Sequence, residues 1–100
     1  MATNTTALFR GAAAVTNTTL YTVPSGRTAI VSNIAVTNTS ASAQTFTLNI
    51  NGVAIQSGST LAANSTAYID LKQVVPATQI VSGSASATSV NFHISGIEVF

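Results

Sequence analysis

The sequence predicts an all-β protein, an antiparallel β-sandwich of about eight strands with jelly-roll-like connections. Short runs of β-branched and aromatic residues recur along the 100 residues, and Gly, Pro, Asn and Ser separate them. An Asn-Gly pair between two such runs marks a tight hairpin. A chain of this length builds one core but not two. We therefore expect a small, polar N-terminal arm over residues 1–6 and a single β-sandwich domain over residues 7–100.

The most informative stretch is residues 20–40, which reads LYTVPSGRTAIVSNIAVTNTS. Residues 23–26 predict a type I turn, because Pro24 presets φ at the second position and Gly26 suits the fourth. Residues 27–37 then predict a long strand whose buried face carries Ile30, Ile34 and Val36. Residues 38–42 are small and polar, which favours a loop.

Asn51 and Gly52 predict a type I′ hairpin turn, since both central positions of that turn need a positive φ. A two-residue turn places Ile50 opposite Val53 and Leu48 opposite Ile55. One face of the hairpin then carries the apolar residues Phe46, Leu48, Ile50, Val53 and Ile55.

The other strands follow from local patterns. We expect short strands at residues 7–10 and 78–82, an extended segment at 13–23, a loop at 57–65 and a flexible connection at 83–87. Residues 66–75 alternate between apolar and polar and precede Pro76, which ends a strand. In that strand Asp70 and Lys72 share the wet face, where a weak ion pair is expected.

The last predicted strand covers residues 89–100 and changes its apolar parity. Val90, Phe92 and Ile94 share one parity, whereas Ile97 and Val99 share the other. A β-bulge at Ser95-Gly96 would keep both groups facing the core, so the sequence predicts a bulge there.

Charged residues make up only 5% of the chain, and the formal net charge is +1. An average soluble domain carries roughly 25% charged residues. Weak electrostatic repulsion between copies favours a fixed assembly. A secreted β-domain kept in solution by uncharged polar residues is the alternative. The first residues lack a signal-peptide pattern, and we expect synthesis and assembly in a cytoplasm.

Sequence motifs for catalysis are missing. There is no cysteine, no paired carboxylates, no nucleophile elbow and no phosphate-binding glycine loop. We therefore expect a protein that is not an enzyme and has no catalytic, cofactor or metal site. His93 is interpreted as a surface or interface residue, with a metal ligand on a symmetry axis as the alternative. Three basic residues are too few to follow a phosphate backbone, so no nucleic-acid partner is expected, and no membrane partner either.

Several segments carry a family resemblance. Residues 20–29, LYTVPSGRTA, are followed by an apolar strand and TNTS at 37–40; TFTLNING stands at 45–52, and VNFHISGIEV closes the chain at 90–99. Over roughly residues 20–99 the chain resembles the small all-β virion proteins of tailed bacteriophages. The resemblance implies a virion structural protein.

The function expected from this resemblance is that of a capsid decoration, or cement, protein on the outer surface of the virion. Its partners would be the major capsid protein, or another virion protein, and two further copies of itself in a homotrimer. The alternative is a tail fibre or baseplate component, or a module that binds a host glycan. Small polar residues are the expected partner contacts: Thr3, Asn4, Thr5, Asn38, Thr39 and Ser40.

Overall fold

The computed structural model describes residues 2–100 and contains eight antiparallel strands. The strands are β1 Thr3–Ala12, β2 Thr18–Thr22, β3 Thr28–Asn38, β4 Gln44–Ile50, β5 Val53–Leu61, β6 Thr66–Val75, β7 Ile80–Ala85 and β8 Val90–Val99. They form two four-stranded sheets, with strand orders β1-β8-β3-β6 and β2-β7-β4-β5. Apart from the β4–β5 hairpin, every connection leads from one sheet to the other. The predicted jelly-roll-like sandwich is confirmed.

The sandwich is elongated, measuring 46 × 21 × 18 Å. The turns at residues 23–27, 51–52 and 76–79 lie at one end, which we call the turn end. The segments at 13–17, 39–43, 62–65 and 86–89 lie at the other, which we call the loop end. Strand β8 runs between the two and pairs with β1 on one side and β3 on the other.

The core lies between the sheets and is built by alternate residues of the central strands. Ile34, Leu48, Phe92 and Ile94 are completely buried. The rings of Phe46 and Phe92 meet edge-to-face across the sheets, with centroids 6.3 Å apart. Such pairs add about 0.5–1.5 kcal/mol to the stabilisation from burial alone.

Strand β8 contains no bulge, so the prediction at Ser95-Gly96 was wrong. Alternation continues to the end of the strand: Gly96 and Glu98 face the core, while Ile97 and Val99 face outward. The extra residues lie in the neighbouring strands, at Leu8 in β1 and Ser32 in β3. Gly96 is required because a Cβ there would overlap the carbonyl oxygen of Ile30. The neighbouring backbone thus approaches β8 too closely for any side chain.

The bulge at Ser32 also changes the face that Ile30 occupies. Ala29 and Val31 are fully buried before the bulge, and Ile34 and Val36 are fully buried after it. Ile30 is only half-buried and pairs with the outward-facing Ile97. The predicted common face for Ile30, Ile34 and Val36 was therefore wrong for Ile30, because a bulge reverses the parity of a strand.

Of the two turns predicted from the sequence, one differs in position and type, and the other has the predicted geometry. The first turn spans Pro24–Arg27, one residue later than predicted, and the Arg27 N–H donates to the Pro24 carbonyl at 3.2 Å. Gly26 has φ of 81° at the third position, which is typical of a type II turn rather than type I. At the hairpin, Asn51 and Gly52 have φ of 49° and 79°, as a type I′ turn requires.

The predicted hairpin register holds for the first pair only. Ile50 lies opposite Val53, but a bulge in β5 places Leu48 opposite Gln56 instead of Ile55. Val53 is 69% exposed at the tip, so it is not part of the buried face.

Three segments expected to be irregular belong to strands. Residues 3–6 of the predicted arm form the start of β1 and pair with β8 from Thr3 opposite Val99 onward. Strand β5 continues to Leu61 through the predicted loop, and β7 extends to Ala85. Small polar residues suit loops in isolation, but here the neighbouring strands supply backbone partners. Residue 1 of the predicted arm lies outside the described residues. Strand β6 has the predicted bounds and alternation.

Candidate functional site

The predicted partner contacts do not form one surface. Thr3, Asn4 and Thr5 lie at the turn end, whereas residues 38–40 lie at the loop end. On β8 the two sets correspond to Val99 and Val90, which are separated by nine residues, or about 30 Å along a strand. The two sets therefore lie at opposite ends of the sandwich.

Asn38 is completely buried and joins two loops. Its side-chain amide donates to the carbonyls of Ser42, Leu61 and Ala62 at 2.9–3.2 Å. Its side-chain oxygen accepts from the backbone N–H of Ser40 at 3.0 Å and from the Ser40 hydroxyl. The side chain therefore holds the loop at residues 39–43 against the loop at residues 62–65. Asn38 is an internal tie rather than a partner contact, and Thr39 beside it is exposed.

A polar cluster joins the two sheets at the turn end. Glu98 is only 6% exposed and faces inward from β8. Its carboxylate accepts hydrogen bonds from Arg27 at 2.9 Å, from Asn4 at 3.5 Å and from the Tyr21 hydroxyl. Tyr21 belongs to β2 of the opposite sheet, so this bond crosses the sandwich. The guanidinium of Arg27 lies 3.9 Å from the centre of the Phe100 ring. We call these residues the Glu98 cluster.

The cluster shifts the titration of two of its members. The hydrogen bond from Tyr21, with those from Asn4 and Arg27, holds the pKa of Glu98 below its usual range despite burial. Burial, followed by the hydrogen bond to Glu98, raises the pKa of Tyr21 well above its ordinary value. Both shifts favour a charged carboxylate and a neutral phenol. The three groups that donate hydrogen bonds to the Glu98 carboxylate all belong to this chain. The Glu98 cluster therefore connects strands within the fold.

The outward surface of the β1-β8-β3-β6 sheet, which we call the outer face, is divided by the line of bulges. Toward the turn end, Val74, Ile30 and Ile97 lie side by side on β6, β3 and β8. Val74 is 60% exposed, and its two neighbours are half-buried. Val99 lies two residues beyond Ile97 on the same face. These four residues are the apolar half of the outer face.

Toward the loop end the outer face is polar. Tyr68, Ala35, His93 and Arg10 form one row across β6, β3, β8 and β1. Tyr68 is 74% exposed, and His93 and Arg10 are exposed as well. In the next row the Asn33 amide donates to Asp70 at 3.3 Å. These six residues are the polar half of the outer face.

An open groove lies beside the polar half, at the bulge between β3 and β6. Its volume is about 480 Å³, and it is lined by Ser32, Asp70, Leu71 and Lys72. Asp70 and Lys72 do not form the expected ion pair. The one ion pair within residues 2–100 joins Arg27 to Glu98, while Asp70 and Lys72 both line the groove.

Sequence reasoning missed the Glu98 cluster. Arg27 is the last residue of the first turn, and it contacts Glu98 and Phe100, which are more than seventy positions away in the chain. The inward position of Glu98 could have been predicted from the alternation of Val90, Phe92 and Ile94. Continued to the end of the strand, the same alternation places Glu98 on the inward face. Among the described residues no group of three His, Cys, Asp or Glu side chains is placed to hold a metal ion. No helix in the part of the chain that the structure describes could cross a membrane.

No protein-family model and no curated protein sequence matches the chain.

Proposed function

We propose that this chain is a structural protein of a tailed bacteriophage particle, and that it binds the outer capsid shell as a decoration protein. The resemblance over roughly residues 20–99 supports this proposal, and so does the jelly-roll sandwich, an architecture that viral capsid domains share with lectins. Fold alone does not decide function. The proposal therefore depends on a specific surface of the molecule.

The observation that carries the proposal is the apolar half of the outer face. Val74, Ile30 and Ile97 form a continuous apolar row over three strands, in a protein with only 5% charged residues. Val74 is exposed and the two isoleucines beside it are half-buried, and a contiguous apolar patch at the surface of a small domain marks an interaction surface. The row is bordered by Thr5 on β1. An apolar row that spans three strands of a sheet suits a protein surface better than a small ligand.

As a decoration protein, the chain would bury this patch against the major capsid protein and bridge neighbouring capsomers. A ligand that binds only the assembled shell stabilises it by mass action. Weak charge repulsion permits close packing of copies on the shell. A homotrimer would match a three-fold position of the capsid.

Electron cryomicroscopy of the particle tests the proposal. Density for this chain that repeats across the icosahedral shell, with β3, β6 and β8 against the capsid, is the expected result. Density confined to the tail would reject the decoration role and support the alternative of a fibre or baseplate component.

A pair of variants tests the surface itself. Val74→Lys places a charge in the apolar half and should lower particle occupancy, because burying an unpaired ammonium is unfavourable. Val53→Lys is the matched control, since Val53 is similarly exposed but belongs to β5 of the other sheet. Equal occupancy for both variants would contradict a contact through the apolar half.

A further inference from the structure

The polar half of the outer face has a different chemistry from the apolar half. We propose that it binds an acidic oligosaccharide. Its central feature is Tyr68, which is 74% exposed in the middle of β6 rather than at a loop tip. A sugar ring presents C–H bonds on its faces, and these pack against an aromatic ring. Tyrosine also offers its hydroxyl to the sugar's own hydroxyl groups.

The row that contains Tyr68 gives the site its length. Ala35, a residue with a small side chain, lies opposite Tyr68 on β3, and Tyr68 is largely exposed beside it. His93 and Arg10 come next, on β8 and β1. Three strand spacings separate Tyr68 from Arg10, a distance of about 14 Å. The row therefore matches a ligand of more than one sugar ring.

The neighbouring row supplies hydrogen-bond partners of both kinds. Asp70 accepts hydrogen bonds, and the Asn33 amide can both donate and accept. Ser32 and Lys72 add a hydroxyl and an ammonium at the groove of about 480 Å³. Ligand sites typically enclose about 300–1,000 Å³. Sugars carry many hydroxyl groups that act as donors and acceptors, so this mixed set suits them.

The charges of the surface favour an acidic sugar over a neutral one. Arg10 and Lys72 lie on the outer face with Asp70 as the one carboxylate among them, so the surface carries an excess of positive charge. A guanidinium binds a carboxylate or sulfate through two parallel hydrogen bonds. With Tyr68 at one end of the row and Arg10 at the other, the ring would lie on the tyrosine and the acid group at the arginine.

Purified full-length protein on a printed array of neutral, sialylated, sulfated and uronic-acid oligosaccharides tests the proposal. Acidic oligosaccharides should bind, and neutral ones more weakly. Tyr68→Ala should weaken binding about tenfold, while Tyr68→Phe keeps most of it. Arg10→Ala should remove the preference for acidic sugars. Val74→Ala is the control, because it removes an exposed apolar side chain from the same strand but the other half of the face.

Three outcomes would overturn the proposal: no binding to any oligosaccharide on the array, equal binding to neutral and acidic ones, or binding that survives Tyr68→Ala. Amide chemical shifts measured with the strongest-binding oligosaccharide should change around Ala35, Tyr68 and His93. Changes around Ile30 and Ile97 instead would assign binding to the other half and reject this site. The proposed capsid contact uses the apolar half, whereas the proposed sugar site uses the polar half. Sugar binding can therefore fail while capsid binding is retained, and capsid binding can fail while sugar binding is retained.

Discussion

The guanidinium of Arg27 lies 2.9 Å from the carboxylate of Glu98, a side chain that is only 6% exposed at the end of β8. The two residues are 71 positions apart in the chain. Their contact connects the start of β3 with the end of β8, while Tyr21 connects the same carboxylate to the opposite sheet. The turn end is thus held by charge-assisted hydrogen bonds as well as by apolar packing.

Replacing Glu98 tests the strength of this connection. Glu98→Gln removes the charge that Arg27 binds, and we expect a loss of about 1–3 kcal/mol in unfolding free energy at neutral pH. Arg27 is partly exposed, so solvent limits the effect. Denaturant unfolding measures it. Asp70→Asn is the control, because Asp70 is exposed, and it should change stability by less than about 0.5 kcal/mol. Equal losses would contradict the role of Glu98.

Stability should fall in acid because of the same carboxylate. The folded protein lowers the pKa of Glu98, so its contribution is complete above the ordinary glutamate value of about 4.3 and is lost as pH falls through the lower, folded-state pKa. Unfolding measured at a series of pH values below 5 should show this decline in the wild type. Glu98→Gln should show a smaller decline, and parallel curves would reject the assignment.

Stability should also fall in alkaline solution because of Tyr21. Its pKa is raised in the folded protein, so stability is complete below the ordinary tyrosine value of about 10 and decreases as pH rises above it. Tyr21→Phe cannot ionise and should lack this alkaline decrease, although it is less stable at neutral pH. Tyr68→Phe serves as the control because Tyr68 is exposed, and it should retain the wild-type profile.

Gly96→Ala should be among the most destabilising single changes. The added methyl group would overlap the Ile30 carbonyl, a backbone atom of the central strand, and we expect a loss of about 3 kcal/mol or more. Gly26→Ala is the matched control. No atom lies within 4 Å of a Cβ there, and the positive φ alone costs about 1–2 kcal/mol. Thermal unfolding separates the two variants, and equal midpoints would show that β3 and β8 can move apart.

Asn38→Ala should loosen the loop end. It leaves the carbonyls of Ser42, Leu61 and Ala62 without their donor, at a cost of about 2–3 kcal/mol. For a domain of this size, that lowers the melting temperature by about 10 °C or more. Asn17→Ala is the control, since Asn17 is exposed and bonds only the Asn49 side chain. A similar small shift in both variants would contradict the internal role of Asn38.

The local sequence pattern was sufficient to predict the sandwich class, the Asn51–Gly52 turn and the bounds of β6. In each case the signal comes from neighbouring residues: two residues that tolerate positive φ, or alternation interrupted by Pro76. The bulges at Leu8 and Ser32 could not be predicted in this way. A bulge is a mismatch between two strands, and Ser32 lies opposite residues more than sixty positions away. The predicted parity change in β8 was wrong, because alternation continues to the end of that strand and the extra residues lie in its neighbours.

The candidate surfaces were predictable only in part. Tyr68 shares its parity with Asp70, which was predicted to lie on the wet face of β6, and both residues are exposed. Its neighbours Ala35, His93 and Arg10 come from three other strands, so their arrangement depends on the strand order and on every register. For Thr3, Asn4 and Thr5, composition indicated an arm, but backbone pairing with β8 makes them an edge strand. Composition does not encode such pairing.

The bulges at Leu8 in β1 and Ser32 in β3, with the register shift between β3 and β6, have a geometric consequence. Bulges increase the local twist of a sheet, so the apolar and polar halves of the outer face do not lie in one plane. A body seated on Val74, Ile30 and Ile97 would therefore not lie parallel to the row from Tyr68 to Arg10. Under the two proposals made for this sheet, the twist would give each half its own direction of approach for a separate partner.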